Sequence, residues 1–402
     1  MTKYIILLGD GMSDEPCNDL AGQTPLQVAK KNALNWFAQN GNVGLVNTVP
    51  ETLHPGSDVA NMGILGYDPK LYYTGRGPIE AAAMSIKVPK DSIIFRCNLV
   101  TITNNIMTDF TAGHISNQEG SDLLLELNLH FKQLGIKFYP GVGYRNIVVL
   151  PQRYAKLNTT APHDILDQNI QTELPNGEYE DDMKAFINDC QKILTDSKVN
   201  KRRISENKRP ATHIWPWSQG PYPGMPSFYE KFNLSGGIVT AVDLLKGLAK
   251  LTGLEAPNIK GATGFIDTNY KNKLDAALTI LDKHNFCYIH IEAPDECGHM
   301  GDAVLKTKAI EDFDQHICEP IKQYCEHNKD TIVFILPDHP TPCRLKTHTR
   351  EPVPFILFSP KEKATYPAKY YTEKMAKATK LHYESSWDLI TRVIKEKTIL
   401  PD

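Results

Sequence analysis

Three short, almost unbroken apolar runs, each running into an acid, constrain this chain more than any other feature. Tyr4–Leu8 stops at Gly9-Asp10-Gly11, Phe286–Ala293 leads to Asp295, and Thr331–Leu336 leads to Asp338-His339. Runs this short without polar alternation read as strands buried on both faces, the condition of a parallel sheet between helical layers. Val43–Val49 and Val353–Phe358 read as two more such strands. Between them lie segments of helical spacing. Thr24–Asn40 places Leu26, Ala29, Ala33, Leu34 and Phe37 on one face and ends at Gly41, which suits a helix C′ glycine. Asp58–Leu65 is helix-like, and Val239–Leu251 is the strongest helix. Alternating β and α predicts an α/β fold, a mostly parallel sheet with helices on both faces.

The middle of the chain reads differently. From Val88 to Phe232 the apolar pattern weakens and the loops lengthen. Residues 88–231 are therefore expected to form an inserted α+β domain, and 1–87 with 232–402 a discontinuous main domain. The basic run Lys198–Pro210 reads as a solvated face or hinge, and Gln219–Ser227 is rich in Gly and Pro.

Composition narrows the function classes. The 402 residues are 41% hydrophobic and 23% charged, with 44 Lys+Arg against 47 Asp+Glu. A net charge of −3 argues against a nucleic-acid-coating protein or an acidic tail protein. No apolar run approaches the roughly 20 residues of a membrane span, and the short run before Asp10 reads as a strand, not a signal peptide. Eight scattered cysteines without a CxxC pair suit reduced thiols and a cytoplasmic setting.

The acids carry the chemistry. In open α/β sheets ligands bind at the carboxyl ends of the strands. Asp10, Asp295 with His299 four residues on, and Asp338-His339 all fall there, and His348 follows in the loop before the next strand. Singly each has a plain reading: a turn residue, a solvated helix start, a β–α turn, a surface histidine. Jointly they have metal-ligand composition, carboxylate and imidazole without thiolate, suited to two divalent ions such as Mn²⁺, Zn²⁺ or Mg²⁺. Cys297 is not counted as a ligand. Ser57, after His54-Pro55-Gly56 and opening a helix-like stretch, is the candidate nucleophile. Its plain reading is a helix N-cap. Helix N-terminal amides also favour a phosphoryl group, and a metal would activate the hydroxyl.

The stretches GDGMSDEP, HPGSDVANMGILGYDP, YTGRGPIEAA, TAVDLLKGL, GATGFIDTNY, APDECGHMGD and PDHPTPCRLKTHT resemble the archaeal-type, 2,3-bisphosphoglycerate-independent phosphoglycerate mutases of the alkaline phosphatase superfamily. The likeness runs through residues 1 to about 100 and 232 to 360, with looser matches at TAGHIS, VGYRNIVVL and APHDI. It implies an alkaline-phosphatase-like α/β domain with an inserted cap that closes over the site. It implies one ion on Asp295, His299 and His348, and a second on Asp10, Asp338 and His339 with Ser57. Mn²⁺ is the first choice, with Mg²⁺, Zn²⁺ or Co²⁺ as alternatives. A transient phosphoserine at Ser57 would interconvert 3- and 2-phosphoglycerate, a glycolytic step on a small phosphorylated metabolite. Arg76, Arg96, His114, Arg145, His163 and Asp164 fall in matching stretches and are candidate substrate contacts. Arg344 and Arg350 bracket His348 and either touch phosphate or pair with acids.

A bacterial branch of the family, proposed to include homoserine kinases using ATP, is similar in Asn61-Met62 and in the segment His213–Gly220. A kinase is therefore the alternative, and a phosphomonoesterase the next. No Walker A loop is present. Trp215 and Trp217 would stack on an adenine or fill the domain core, the core being the better expectation.

Overall fold

The computed structural model describes residues 1–400. Among them the strands are β1 (Lys3–Gly9), β2 (Asn42–Val46), β3 (Ser92–Thr103), β4 (Ile106–Asp109), β5 (Lys137–Val142), β6 (Arg145–Pro151), β7 (His213–Gly220), β8 (Gly236–Val239), β9 (Phe286–Ile291), β10 (Thr331–Leu336), β11 (Val353–Phe358) and β12 (His382–Tyr383). The chain divides into two compact units, one of 1–73 with 225–400 and one of 74–224.

The first unit is built on a sheet of order β12-β2-β11-β10-β1-β9-β8. β1 pairs in parallel with β10 on one side and β9 on the other, and β8 continues in parallel beside β9. β11 alone runs against its neighbours, antiparallel to both β10 and β2. Every residue of β9, β10 and β11 is buried, as their apolar runs require. The topology sets the site. Because β1, β9 and β10 are parallel neighbours, their carboxyl ends lie at one sheet edge. Because β11 is antiparallel, it starts at that same edge, so the loop joining β10 to β11 never leaves it.

Several local expectations are corrected. The predicted helix Thr24–Asn40 is two helices, Pro25–Val28 and Asn32–Asn40. Ala29 leaves helical geometry, and the buried Asp314 carboxylate accepts from the backbone N–H groups of Ala33 and Leu34 at 3.2 and 2.6 Å, starting a fresh helix. Gly41 ends the second helix in extended, not left-handed, conformation. A Cβ there would sit 2.7 Å from the Leu357 carbonyl oxygen, so close approach to β11 is what requires glycine. Val239 closes β8, and the strong helix starts only at Asp243. Thr240 Oγ1 accepts from Val242 N–H at 3.0 Å and turns the chain between them.

The second unit is an antiparallel sheet around β3, with β6 and β7 along its sides, β4 at its far end and β5 outside β6. Its first boundary lies earlier than expected, because the Arg76–Ala83 helix belongs to it. Gly77 lets that helix lie on β3, where a Cβ would come 2.8 Å from the Ile94 carbonyl. The second boundary, at Gly224, also precedes the expected 232. The basic run is mostly exposed, in line with a solvated face, but not wholly so. It contains the Lys198–Ser205 helix, in which buried Arg203 donates to Glu119 and to the Ala112 carbonyl, both at 2.7 Å. Trp215 and Trp217 are both buried, in line with core residues.

Candidate active site

Each ligand candidate is delivered by a strand end. Asp10 follows β1, and its N–H donates to the carbonyl of Ile291, the last residue of β9, at 2.9 Å. Asp338 lies just beyond β10, where Gly11 N–H and its neighbour's own N–H, that of His339, donate to its Oδ1 at 3.1 and 3.0 Å. Asp295 and His299 stand one turn apart on the Ala293–Met300 helix that follows β9. Gly11 has a φ of +60°, and a Cβ on it would fall 2.5 Å from Asp295 Oδ1. Two acids can come this close only with a bare backbone between them.

The candidates form two groups. Ligand atoms of Asp295, His299 and His348 lie within 4.8 Å of one another, and so do those of Asp10, Asp338 and His339. In the first group His299 Nε2 and His348 Nε2 face each other at 2.9 Å, with Asp295 oxygens 3.2 and 3.5 Å from them. In the second, His339 Nε2 is 3.2 Å from Asp338 Oδ2 and 3.8 Å from Asp10 Oδ1. The His339 and His348 rings stack at 3.9 Å, so the groups adjoin.

Charge is oversupplied here. Burial, then Asp338 and Asp295, push the Asp10 carboxyl well above its ordinary range. Burial pushes Asp295 the same way, but hydrogen bonds from His299 and His348 outweigh it and hold this carboxyl well below the ordinary range. The hydrogen bond to Asp295 in turn raises His299 to about 9. Burial lowers His339 and favours its neutral form. Asp10 Oδ1 is buried with no hydrogen-bond partner among the described residues. A buried orphan carboxylate oxygen, two imidazole nitrogens aimed at each other and an all-oxygen-and-nitrogen donor set fit divalent cations.

Ser57 is the first residue of the Ser57–Ile64 helix, and Gly56 occupies the cap position. The N-cap reading of this serine is therefore not what the structure holds. Its Oγ lies 3.0 Å from His339 Nε2, at the second group.

Other side chains sustain this arrangement and escaped the sequence reading. His290 Nε2 lies 2.8 Å from Asp10 Oδ2, and its Nδ1 lies 3.1 Å from Thr240 Oγ1. Thr341 donates to Asp295 Oδ1. Asp58 is buried, accepts from Tyr73 O–H at 2.6 Å and faces His54 at 3.3 Å. A signal for His290 existed: Tyr288 and His290 alternate in β9 with Cys287, Ile289 and Ile291, which belong to the main core. Two polar residues on one face of a buried strand need polar partners.

A third cluster, Asp14, Cys17 and Cys343, also has metal-binding composition. The Lys306 ammonium fills the cation role there, 2.8 Å from Asp14 and fully buried. Arg344 pairs with Glu15, an acid, whereas Arg350 donates to the carbonyls of Glu51 and Leu53. All eight cysteines are free, and Cys297 lies in the main core.

In the second unit, Arg76 and Arg96 share one carboxylate, Glu80, at 2.9 and 3.0 Å. Arg96 is buried beneath the Trp217 ring, 4.2 Å away. Burial, offset by Glu80 and reinforced by Arg76 and Arg145, lowers it to about 10. His163, beside Asp164 and 5.4 Å from the Trp217 ring, feels the same arginines. His114 sits apart from these, exposed on the turn after Asp109.

Residues 38–200 match the family model described as 2,3-bisphosphoglycerate-independent phosphoglycerate mutase. A probable enzyme of that name from Geobacter sulfurreducens is 43% identical, covering 98% of this chain and 99% of its own. The Methanosarcina barkeri enzyme of that name is 41% identical over 98% of this chain and 100% of its own. The solved PH0037 protein of Pyrococcus horikoshii superposes with a TM-score of 0.81 at 25% identity, covering 99% of this chain and 98% of its own.

Proposed function

The chain belongs to the 2,3-bisphosphoglycerate-independent phosphoglycerate mutase family, and on that premise we propose that it interconverts 3- and 2-phosphoglycerate through a phosphoserine at Ser57. The observation that carries this reading is the aim of Ser57 Oγ at His339 within the group that holds the orphan Asp10 oxygen. Asp295, His299 and His348 would hold one divalent ion, and Asp10, Asp338 and His339 with Ser57 a second. Mn²⁺ is the first to test, with Mg²⁺, Zn²⁺ and Co²⁺ beside it. When bound, such ions lower the pKa of a serine hydroxyl and offset charge on a transferring phosphoryl group.

Ser57 Oγ attacks the phosphorus. The bond from phosphorus to the glycerate oxygen breaks, and the serine proton is made up on the released glycerate hydroxyl. The same exchange in reverse, at the neighbouring hydroxyl, frees the serine. The groups Asp10, Asp295 and Asp338 fix where positive charge can sit, and His290 and Thr341 hold two of those carboxylates in place. Arg76, Arg96 and Arg145 cluster by Glu80 and are the cations proposed to meet the carboxylate and phosphate of the substrate. Free cysteines favour a cytoplasmic setting, and no described helix is long and apolar enough to cross a membrane. The relatives' names support the mutase and lend nothing to the homoserine kinase.

The test is a pair of assays on the purified protein with Mn²⁺. One follows 3-phosphoglycerate to 2-phosphoglycerate without nucleotide, and the other follows ATP consumption with homoserine. Nucleotide-free turnover that Ser57→Ala abolishes is expected. ATP-dependent phosphorylation of homoserine without phosphoglycerate turnover would overturn the mutase, and net phosphate release would point to the phosphomonoesterase.

A further inference from the structure

Asn61 lies one turn beyond Ser57 on the same helix and is fully buried. Its Nδ2 donates to the Ser57 carbonyl at 2.9 Å and to Asp338 Oδ2 at 2.8 Å, and its Oδ1 accepts from the buried Tyr288 O–H. The orientation of this amide is chemically forced. An ionised carboxylate only accepts, so the NH₂ must face Asp338. The oxygen then faces Tyr288, which must donate. Burial, and after it Asp338 and Asp10, push the Tyr288 phenol far up, so it keeps its proton.

We infer that Asn61, locked by Tyr288, is a positioning residue that ties the nucleophile's helix to one of the two ion groups. Asp338 Oδ1 is occupied by two backbone N–H groups. Its Oδ2 takes one hydrogen bond from Asn61 and is left facing His339, 3.2 Å away. The amide therefore turns the free lone pair of Asp338 toward the second group, and the same nitrogen holds the first turn of the Ser57 helix. Both donors and the acceptor are spent, so a rotated amide would set its oxygen against a carboxylate and leave the phenol's proton unpaired. Asn61 touches neither phosphorus nor substrate in this scheme. It fixes the distance between Ser57 and Asp338.

This inference rests on the two-ion reading above, and its test separates the two. Bound Mn²⁺ per chain, and the affinity of each site, are measured by electron paramagnetic resonance and calorimetry in the wild type, Asn61→Ala and Tyr288→Phe. Turnover and thermal unfolding are followed alongside. The expected result is two ions in the wild type. In Asn61→Ala, one site should weaken by tenfold to a hundredfold while the Asp295–His299–His348 site keeps its affinity. kcat should fall at least as far, with KM nearly unchanged. Tyr288→Phe, which keeps the ring and removes only the lock, should shift the same site in the same direction by less. A merely structural role would lower the unfolding midpoint without picking one ion over the other. Two ions of wild-type affinity in both variants would overturn the inference and leave the two-ion reading intact. A wild type that binds no divalent ion would overturn both.

Discussion

At the strand ends of the first unit, Asp10, Asp295 and Asp338 crowd together with few cations to balance them, and one buried carboxylate oxygen has no partner. Around Glu80 in the second unit the cluster is of the other sign: Arg76 and Arg96 both pair with that acid, and Arg145 is close enough to act on Arg96. Elsewhere in that unit, Arg203 and Glu119 show what a settled charge looks like, paired at 2.7 Å with two carbonyls taking two further guanidinium protons. Burying charge without compensation is costly. On the reading proposed above, the first place takes cations and the second the anionic groups of the substrate.

The largest expected effect separates the two places. Asp338→Asn or His348→Ala should lower kcat by about a thousandfold or more with KM little moved, since they act on the transition state. Arg145→Ala should chiefly raise KM. Steady-state kinetics that show one parameter moving in both classes would dissolve the distinction. Chelation is the next test. Removing ions held at a thousand times their dissociation constant should cost about 4 kcal/mol per site. Hydrogen exchange should place the loosening at Gly9–Met12 and in the β10–β11 loop, with β3 to β7 unaffected.

A balanced pair should behave otherwise. Arg203→Ala takes one partner from Glu119 and leaves two carbonyls without theirs, and should destabilise by roughly 3 kcal/mol in a urea titration, whatever metal is added. His213, at the start of β7, adds a pH test. Burial lowers it to about 4 from an ordinary 6.5. Between those values the unfolded chain binds the proton and the folded one does not. Stability should therefore fall as pH drops from 6.5 to 4, by roughly 3 kcal/mol in all. His213→Phe should flatten that part of the urea-midpoint profile, and an unchanged slope would refute the assignment. The smallest effect is expected of Arg344→Ala, whose partner Glu15 is half exposed. Its loss should stay below about 1 kcal/mol.

The parts of the site readable in the sequence were those fixed by strand ends. Asp10, Asp295 and Asp338 follow apolar runs directly, and a parallel sheet must bring such ends together. Ser57 was readable as a helix start, but its freedom from capping depends on Gly56 taking that position. Asn61 stands in the sequence only as a motif letter, because its partners Asp338 and Tyr288 arrive from distant strands. The break at Ala29 was hidden for the same reason, since Asp314 starts the second helix from far along the chain. Strand direction leaves no trace in an apolar run, so β11 looked like its parallel neighbours. The early boundary at Thr74 was missed because the Arg76–Ala83 helix reads the same whichever sheet it packs on.

The reversed direction of β11 has a consequence for how the two ion groups depend on each other. A parallel strand in its place would need a crossover to the opposite edge and back. The antiparallel strand lets one short span, pinned at both ends, carry Asp338 and His339 at its start and His348 near its finish. The two groups thus hang on a common tether. Whatever orders one end of it has already spent part of the entropy needed to order the other.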